Sequence, residues 1–202
     1  AWGWEPCTIA EIKSYKPENN SICSGQVLQC PYKFEKARIV IREMAEMMAL
    51  DLVDKGLVTD QLVLTVGYDI ENLSNPTISR SYKGEIAIDR YGRSIPKHAH
   101  GTQNLSGFTA STYEIIDSTL NLYDRIMNPE LLIRRITLTA NHVKKEQDVV
   151  PKETYEQLNL FTDYAAIEKE KQEKEAMLQK EKKLQHAMLE IKKKYGKNAI
   201  LK

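Results

Sequence analysis

The sequence predicts an α+β fold: a four-stranded sheet with two helices on one face, in the split βαβ order β-α-β-β-α-β, followed by a long C-terminal helical tail. Three observations carry that expectation. Between Ala37 and Leu52, apolar residues recur at intervals of three and four, the period of a helix with one buried stripe. Between Gln61 and Tyr68, Leu62, Leu64, Val66 and Tyr68 alternate with Gln61, Val63, Thr65 and Gly67, the period of a strand with one core face. A second helix-then-strand pair runs from Ser111 to Ala140, so helices and strands interleave.

In order along the chain, residues 1–20 form a polar lead with Pro6 and Pro17, and Trp2 and Trp4 have no preceding element to bury them. This start looks like a cut made inside a longer protein. The domain proper is expected over 21–147. A strand runs from Ile22 to Leu28, and Pro31 then opens a helix, because a residue without an N–H suits a first turn. Ala37, Val40, Ile41, Met44, Met48 and Leu52 form its apolar stripe, so the methionines belong to the core, and Gly56 ends it. After the Leu62–Tyr68 strand, residues 72–97 are rich in Gly, Pro, Ser, Arg and Lys and read as an excursion or hairpin. A third strand spans His98 to Leu105. Ser111 and Glu114 have capping-box spacing for a helix that turns Ile116, Leu120, Tyr123 and Met127 inward. The last strand runs from Leu132 to about Ala140.

Residues 148–164 read as a linker and 165–202 as a charged helical tail. The whole chain is nearly neutral, with 29 Lys and Arg against 28 Asp and Glu, but Glu168 to Lys202 holds eleven Lys against six Glu. Pairs such as Glu170–Lys174 support a helix, and Met177, Leu184, Met188 and Ile191 form a sparse apolar seam. A solvated single helix is the first expectation for the tail, and weak self-association as a coiled coil the second. Cys7, Cys23 and Cys30 are an odd set without metal-type or disulfide-framework spacing, which points to reduced thiols in a cytoplasmic protein. No apolar run approaches the roughly 20 residues that a membrane span needs, so no membrane role is expected.

The residues that could carry function lie on the sheet. On the last strand, Arg135, Thr137 and Thr139 share a parity with Ile133, while Arg134 shares the other with Leu132, Ile136, Leu138 and Ala140. If the even positions face the helices, Arg135, Thr137 and Thr139 stand on the open face, with Arg134 near its entrance. Thr65, His98, His100 and Thr102 join them from neighbouring strands. The excursion adds Arg80, Lys83, Arg90, Arg93 and Lys97. Cations and hydroxyls on one surface suit phosphate oxygens, and such contacts hold a duplex without reading its sequence. The alternative is a merely solvated sheet face. His98 and His100 lack an obvious acidic or thiol partner for a metal. Asp51, Asp54, Asp60 and Asp69 do not form a paired-carboxylate set, and there is no phosphate-binding glycine loop or nucleophile signature. No catalytic residue and no cofactor is therefore assigned.

In the linker, Gln157, Leu158, Leu160 and Phe161 stand together in the run Gln157-Leu158-Asn159-Leu160-Phe161. It resembles the peptide by which bacterial DNA-processing proteins dock into the sliding clamp, an extended segment offering one amide and an apolar, aromatic anchor. The alternative is that the three apolar side chains fold back onto the domain or begin the tail helix. Ser21-Ile22-Cys23-Ser24-Gly25-Gln26-Val27-Leu28, Asp60-Gln61-Leu62-Val63-Leu64-Thr65-Val66 and Leu132-Ile133-Arg134-Arg135-Ile136-Thr137-Leu138 follow in order. Together with the clamp peptide they resemble the C-terminal part of a Y-family translesion DNA polymerase of the UmuC-like, ImpB/MucB/SamB kind.

That resemblance implies a little finger domain that grips template–primer duplex through its backbone, preceded by the end of a thumb and a tether at residues 1–20. Arg134 and Arg135 match the family's arginine pair, and Ser24 its backbone-contacting first strand. His98 and His100 replace more usual basic residues, which leaves their charge open, since a histidine titrates at about pH 6.5 unless perturbed. The palm carboxylates and their Mg2+ have no counterpart in these residues, so the chain alone is not expected to polymerise DNA, whereas the parent would do so in DNA repair and the SOS response. The expected partners are duplex DNA, bound with strong salt dependence, and the sliding clamp. The rival reading is a non-catalytic adaptor whose sheet face and tail bind protein partners.

Overall fold

The computed structural model describes residues 6–15, 20–149, 164–196 and 199–200. The chain first forms a short helix α1 (Ile9–Ser14), started by a reciprocal cap. The Glu11 amide donates to Thr8 Oγ1 (3.3 Å), and the Thr8 amide donates to Glu11 Oε2 (2.7 Å). None of its residues is buried. Strand β1 (Ile22–Tyr32), helix α2 (Phe34–Asp54) and strand β2 (Leu57–Tyr68) follow. The excursion then contains two short helices, α3 (Glu71–Ser74) and α4 (Pro76–Ser81), and a hairpin of β3 (Ile86–Ile88) and β4 (Ser94–Pro96). Strand β5 (Ala99–Thr109), helix α5 (Thr112–Ile126), strand β6 (Ile133–Asn141), a two-residue strand β7 (Lys144–Lys145) and helix α6 (Tyr164–Tyr195) complete the order.

The main sheet has the spatial order β1-β6-β2-β5, and β7 pairs with the start of β2 as a short fifth strand. Neighbouring strands are antiparallel throughout. One face is buried by α2 and α5. From the sheet come Leu62, Leu64, Val66, Ile136, Leu138 and Ala140, and from the helices Ala37, Ile41, Ala45, Leu52, Ile115 and Leu122, all fully buried. Phe34 stacks on Tyr123 with 4.7 Å between ring centres, and the Tyr123 hydroxyl donates to the Phe34 carbonyl (2.9 Å), joining the two helices. Burial in this core pushes the Tyr123 hydroxyl well above the ordinary tyrosine range. Gly56, at φ +62°, takes the left-handed conformation that ends α2.

Several local expectations are corrected. Strand β1 continues past Leu28 to Tyr32, and Pro31 lies within it instead of opening the helix, which begins at Phe34 after Lys33. An edge strand tolerates a proline because its missing N–H need not face a neighbour, and the β1–β6 register slips between Val27 and Tyr32. Helix α5 turns Ile115, Thr119, Leu122 and Tyr123 to the core, whereas Ile116 and Leu120 are only half-buried. Its N-cap, Ser111 Oγ, accepts from the Glu114 amide (3.3 Å), but the Glu114 carboxylate turns to Ser106 Oγ (2.7 Å) instead of closing the box.

From Glu181 to Lys193 the tail helix docks on the domain instead of standing free in solvent. Gln185 of α6 is buried against the domain and donates to the Ala110 carbonyl (2.9 Å) and Thr112 Oγ1 (2.8 Å). Glu181 accepts from Ser111 Oγ (2.7 Å) and the Tyr113 amide (3.0 Å), so a carboxylate from α6 caps the N-terminus of α5, where the helix dipole favours an anion. Lys182 pairs with Glu146 (2.7 Å), and Lys193 with Asp54 at the end of α2.

Candidate nucleic-acid interface on the open sheet face

The strand registers decide which side chains share the face turned away from α2 and α5. Because Leu62, Leu64 and Val66 point to the core, Gln61, Val63, Thr65 and Gly67 point outward. Thr65 lies opposite His100 on β5 and Thr137 on β6, and Thr137 lies opposite Gly25 on β1. The next row is Thr102, Val63, Thr139 and Cys23. Beyond it stand Asn104, Gln61 and Asn141, and on the other side Gly67, Arg135 and Val27. Val27 is 64% exposed, and Arg135, His100, Thr102 and Asn104 are exposed with it.

The rows are linked by side-chain hydrogen bonds. Thr65 Oγ1 and His100 Nδ1 are 2.9 Å apart. Asn141 Nδ2 donates to Gln61 Oε1 (2.9 Å), whose own Nε2 donates to Asn104 Oδ1 (2.9 Å), so one amide ladder crosses three strands. The His98 and His100 rings meet edge to face at 6.5 Å. At the far end, His142 stands 2.8 Å from Asp60 through Nδ1.

The two arginines part company at a β-bulge. Gly67 pairs with Arg135 but Tyr68 pairs with Ile133, which leaves Arg134 as the extra residue. The bulge resets the alternation. Ile133 is fully buried although strict parity would place it beside Arg135, a correction to the simple two-residue reading. Arg134 turns aside to donate to the Gln29 carbonyl (2.9 Å) and lies 3.7 Å from Asp69. Arg135 remains on the face without a carboxylate partner among the described residues. Gly67 leaves it room, since a Cβ there would stand 3.3 Å from Arg135 Cβ.

Thr65, His100, Thr102, Thr137, Thr139 and Arg135 are therefore brought together as the alternation suggested, with the exposed His98 just before β5. Ser24 is not with them: it lies opposite the buried Leu138 and so on the helix side of the sheet. The excursion cations stand on their own elements. Arg93 is tied to Asp89 (2.6 Å) and Lys97 to Glu85 (2.5 Å). These bonds hold both carboxylates below their usual range and raise both cations. Arg80 and Lys83 are exposed on and after α4. Gln157, Leu158, Leu160 and Phe161 lie outside the described residues. Gln61, Asn104, Asn141 and Val27 were missed, although the first three follow by extending the parity of Thr65, His100 and Thr139 by one or two steps. Among the described residues no cluster of three or more His, Cys, Asp or Glu could hold a metal ion, and no helix is long and apolar enough to cross a membrane.

A model of the impB/mucB/samB family C-terminal domain matches residues 19–160. Among solved structures, the chain is similar to one in a "complex of beta-clamp processivity factor and little finger domain of PolIV", with 8% identity and a TM-score of 0.39, over 71% of this chain and 100% of that chain. No curated protein sequence matches it.

Proposed function

Because the chain belongs to the impB/mucB/samB family C-terminal domain, the little finger of Y-family DNA polymerases, we propose that its open sheet face holds template–primer duplex by the sugar–phosphate backbone while residues 157–161 tether the polymerase to the sliding clamp. The single observation that supports the duplex reading most is the outward grid centred on Thr65, Thr137, Thr139, Thr102, His100 and Arg135. Its hydroxyls and amides can donate to phosphate oxygens at many positions along a strand, and none is placed to demand one base. Gly25 and Gly67 add stretches where the backbone itself can approach a ligand closely. On this reading the domain contributes grip and position, and the chemistry belongs to the parent's palm.

The grip is mostly neutral. Of the arginines assigned to the last strand, Arg134 is turned to Asp69 and Gln29, and Arg135 alone is offered outward. The clamp reading rests on the residues of the Gln157–Phe161 run, whose amide and three apolar side chains suit an extended peptide entering an apolar groove.

Two binding measurements test the proposal. In fluorescence anisotropy with duplexes of unrelated sequence, Arg135→Ala should weaken each by a similar factor and lower the salt slope by about one; a loss confined to one sequence contradicts backbone contact. In a clamp-binding assay, Leu160→Ala/Phe161→Ala should abolish binding, and equal binding of variant and wild type removes the tether.

A further inference from the structure

The excursion between β2 and β5 carries a surface of different chemistry, and we propose that the β3–β4 hairpin is a contact for unpaired nucleotides, with the Tyr91 ring stacking on a base. The inference rests on the duplex reading of the sheet face.

Three exposed apolar side chains occur within six residues of this hairpin. Tyr91 is 80% exposed at its tip, and Ile86 and Ile88 are 60% and 76% exposed along β3. The base of the hairpin is anchored, with Pro96 buried, Ile95 half-buried and the Lys97 amide donating to the Glu85 carbonyl (2.8 Å). The tip is built rigidly by one carboxylate. Asp89 Oδ1 accepts from the Tyr91 and Arg93 amides (2.8 and 2.9 Å), and Asp89 Oδ2 accepts from Arg93 Nε (2.7 Å). Gly92, at φ +77°, supplies the left-handed residue that the turn needs. A ring held out on a rigid turn loses little conformational freedom on binding, which is how an aromatic anchor is made effective.

Charge selects the partner. Within residues 72–97 the two acids, Glu85 and Asp89, are neutralised by Lys97 and Arg93, while Arg80, Lys83 and Arg90 have no carboxylate partner among the described residues. Three uncompensated cations around an apolar ledge favour a polyanion over an apolar protein surface. The Arg93 guanidinium lies 5.0 Å from the Tyr91 ring centre, so the ion pair that closes the turn also packs on the ring. Stacked bases inside a duplex have no free face, whereas unpaired bases do, and aromatic rings flanked by cations are how single strands are held without sequence preference.

The test is fluorescence anisotropy of the purified chain with a labelled oligothymidylate of about 12 nucleotides and with a labelled duplex. Tyr91→Ala should weaken oligothymidylate binding by about five- to tenfold, and Tyr91→Phe should retain it, because stacking needs the ring and not the hydroxyl. Duplex affinity should be unchanged in both. Oligothymidylate that binds wild type and Tyr91→Ala equally, or binds neither, overturns the proposal and leaves Ile86, Ile88 and Tyr91 as a ledge for a protein partner. Arg135→Ala keeps the two readings apart. Duplex binding weakened while oligothymidylate binding persists supports both sites, whereas duplex binding indifferent to Arg135→Ala sinks the sheet-face reading and leaves the Tyr91 result to stand by itself.

Discussion

Gly101 lies where β5 passes beneath α5, and a Cβ at this position would stand 2.8 Å from Ile126 Cγ2 and 2.9 Å from Leu122 Cδ1. A side chain there must push the helix off the sheet. Gly101→Val should therefore lower stability by about 2–3 kcal/mol, read as a fall in the denaturation midpoint with unchanged slope; an unshifted midpoint would mean that α5 can slide freely. Asn72 is another residue whose role is visible only in three dimensions. It is fully buried, donates to the Asp69 and Leu132 carbonyls (2.9 and 2.8 Å) and accepts from the Leu132 amide (2.7 Å), so it fastens the excursion to the entrance of β6. Nothing in the sequence distinguishes it from the other polar residues of a segment read as an irregular excursion. The arginine pair teaches the same lesson at adjacent positions. Residue type identified both as candidate phosphate ligands, but the bulge at Arg134 assigns one to bracing β1 and the other to the face.

At the scale of elements, α6 departs most from its expected behaviour. Its composition reads as a charged, solvated helix, yet Glu181 and Gln185 attach it to the N-terminus of α5 through side chains that amphipathic patterning does not count. Glu181→Ala should remove the second cap of α5 and speed amide exchange in the docked part of α6, with a stability loss of about 1 kcal/mol. Unaltered exchange would show that Gln185 holds the helix unaided. The hairpin tip gives a pH prediction. The Arg93 side chain, more than any other group, lowers the Asp89 carboxyl from its ordinary value of 3.8. A depressed carboxylate stabilises the folded tip in full above that ordinary value and ceases to do so as the pH falls through the lowered one. The amide resonances of Tyr91 and Arg93 should accordingly keep their neutral-pH dispersion down to about pH 4 and lose it below, ahead of the sheet. Loss of dispersion well above pH 4 would assign the turn to another group.

For the whole molecule, the distribution of charge sets how DNA binding responds to salt. In place of the strong salt dependence that the cation-rich sequence suggests, a face that offers Arg135 and a histidine pair among neutral donors should release few counterions, giving a slope of log K against log salt of about −1 to −2 for short duplexes. A slope near −6 would mean that the excursion and tail cations also lie on the duplex and would displace the sheet face as its main contact. The sequence by itself determined the long helices and strands α2, β2, β5, α5 and β6 and the core face of α2 and β2, because these follow from local periodicity: a stripe such as Ala37–Ile41–Met44–Met48–Leu52 has one way to be buried. It also determined the centre of the outward grid, Thr65, His100, Thr102, Thr137, Thr139 and Arg135, since alternation along β2, β5 and β6 needs no knowledge of the neighbouring strand. Only the tertiary structure decided the order β1-β6-β2-β5, the slip that buries Ile133, the placement of Ser24 on the helix side and the docking of α6. Each depends on which distant segment supplies the hydrogen-bonding partner. Partners separated by 60 to 105 residues, such as Asn72 with Leu132 or Arg134 with Gln29, meet only when the sheet closes and leave no period in the chain.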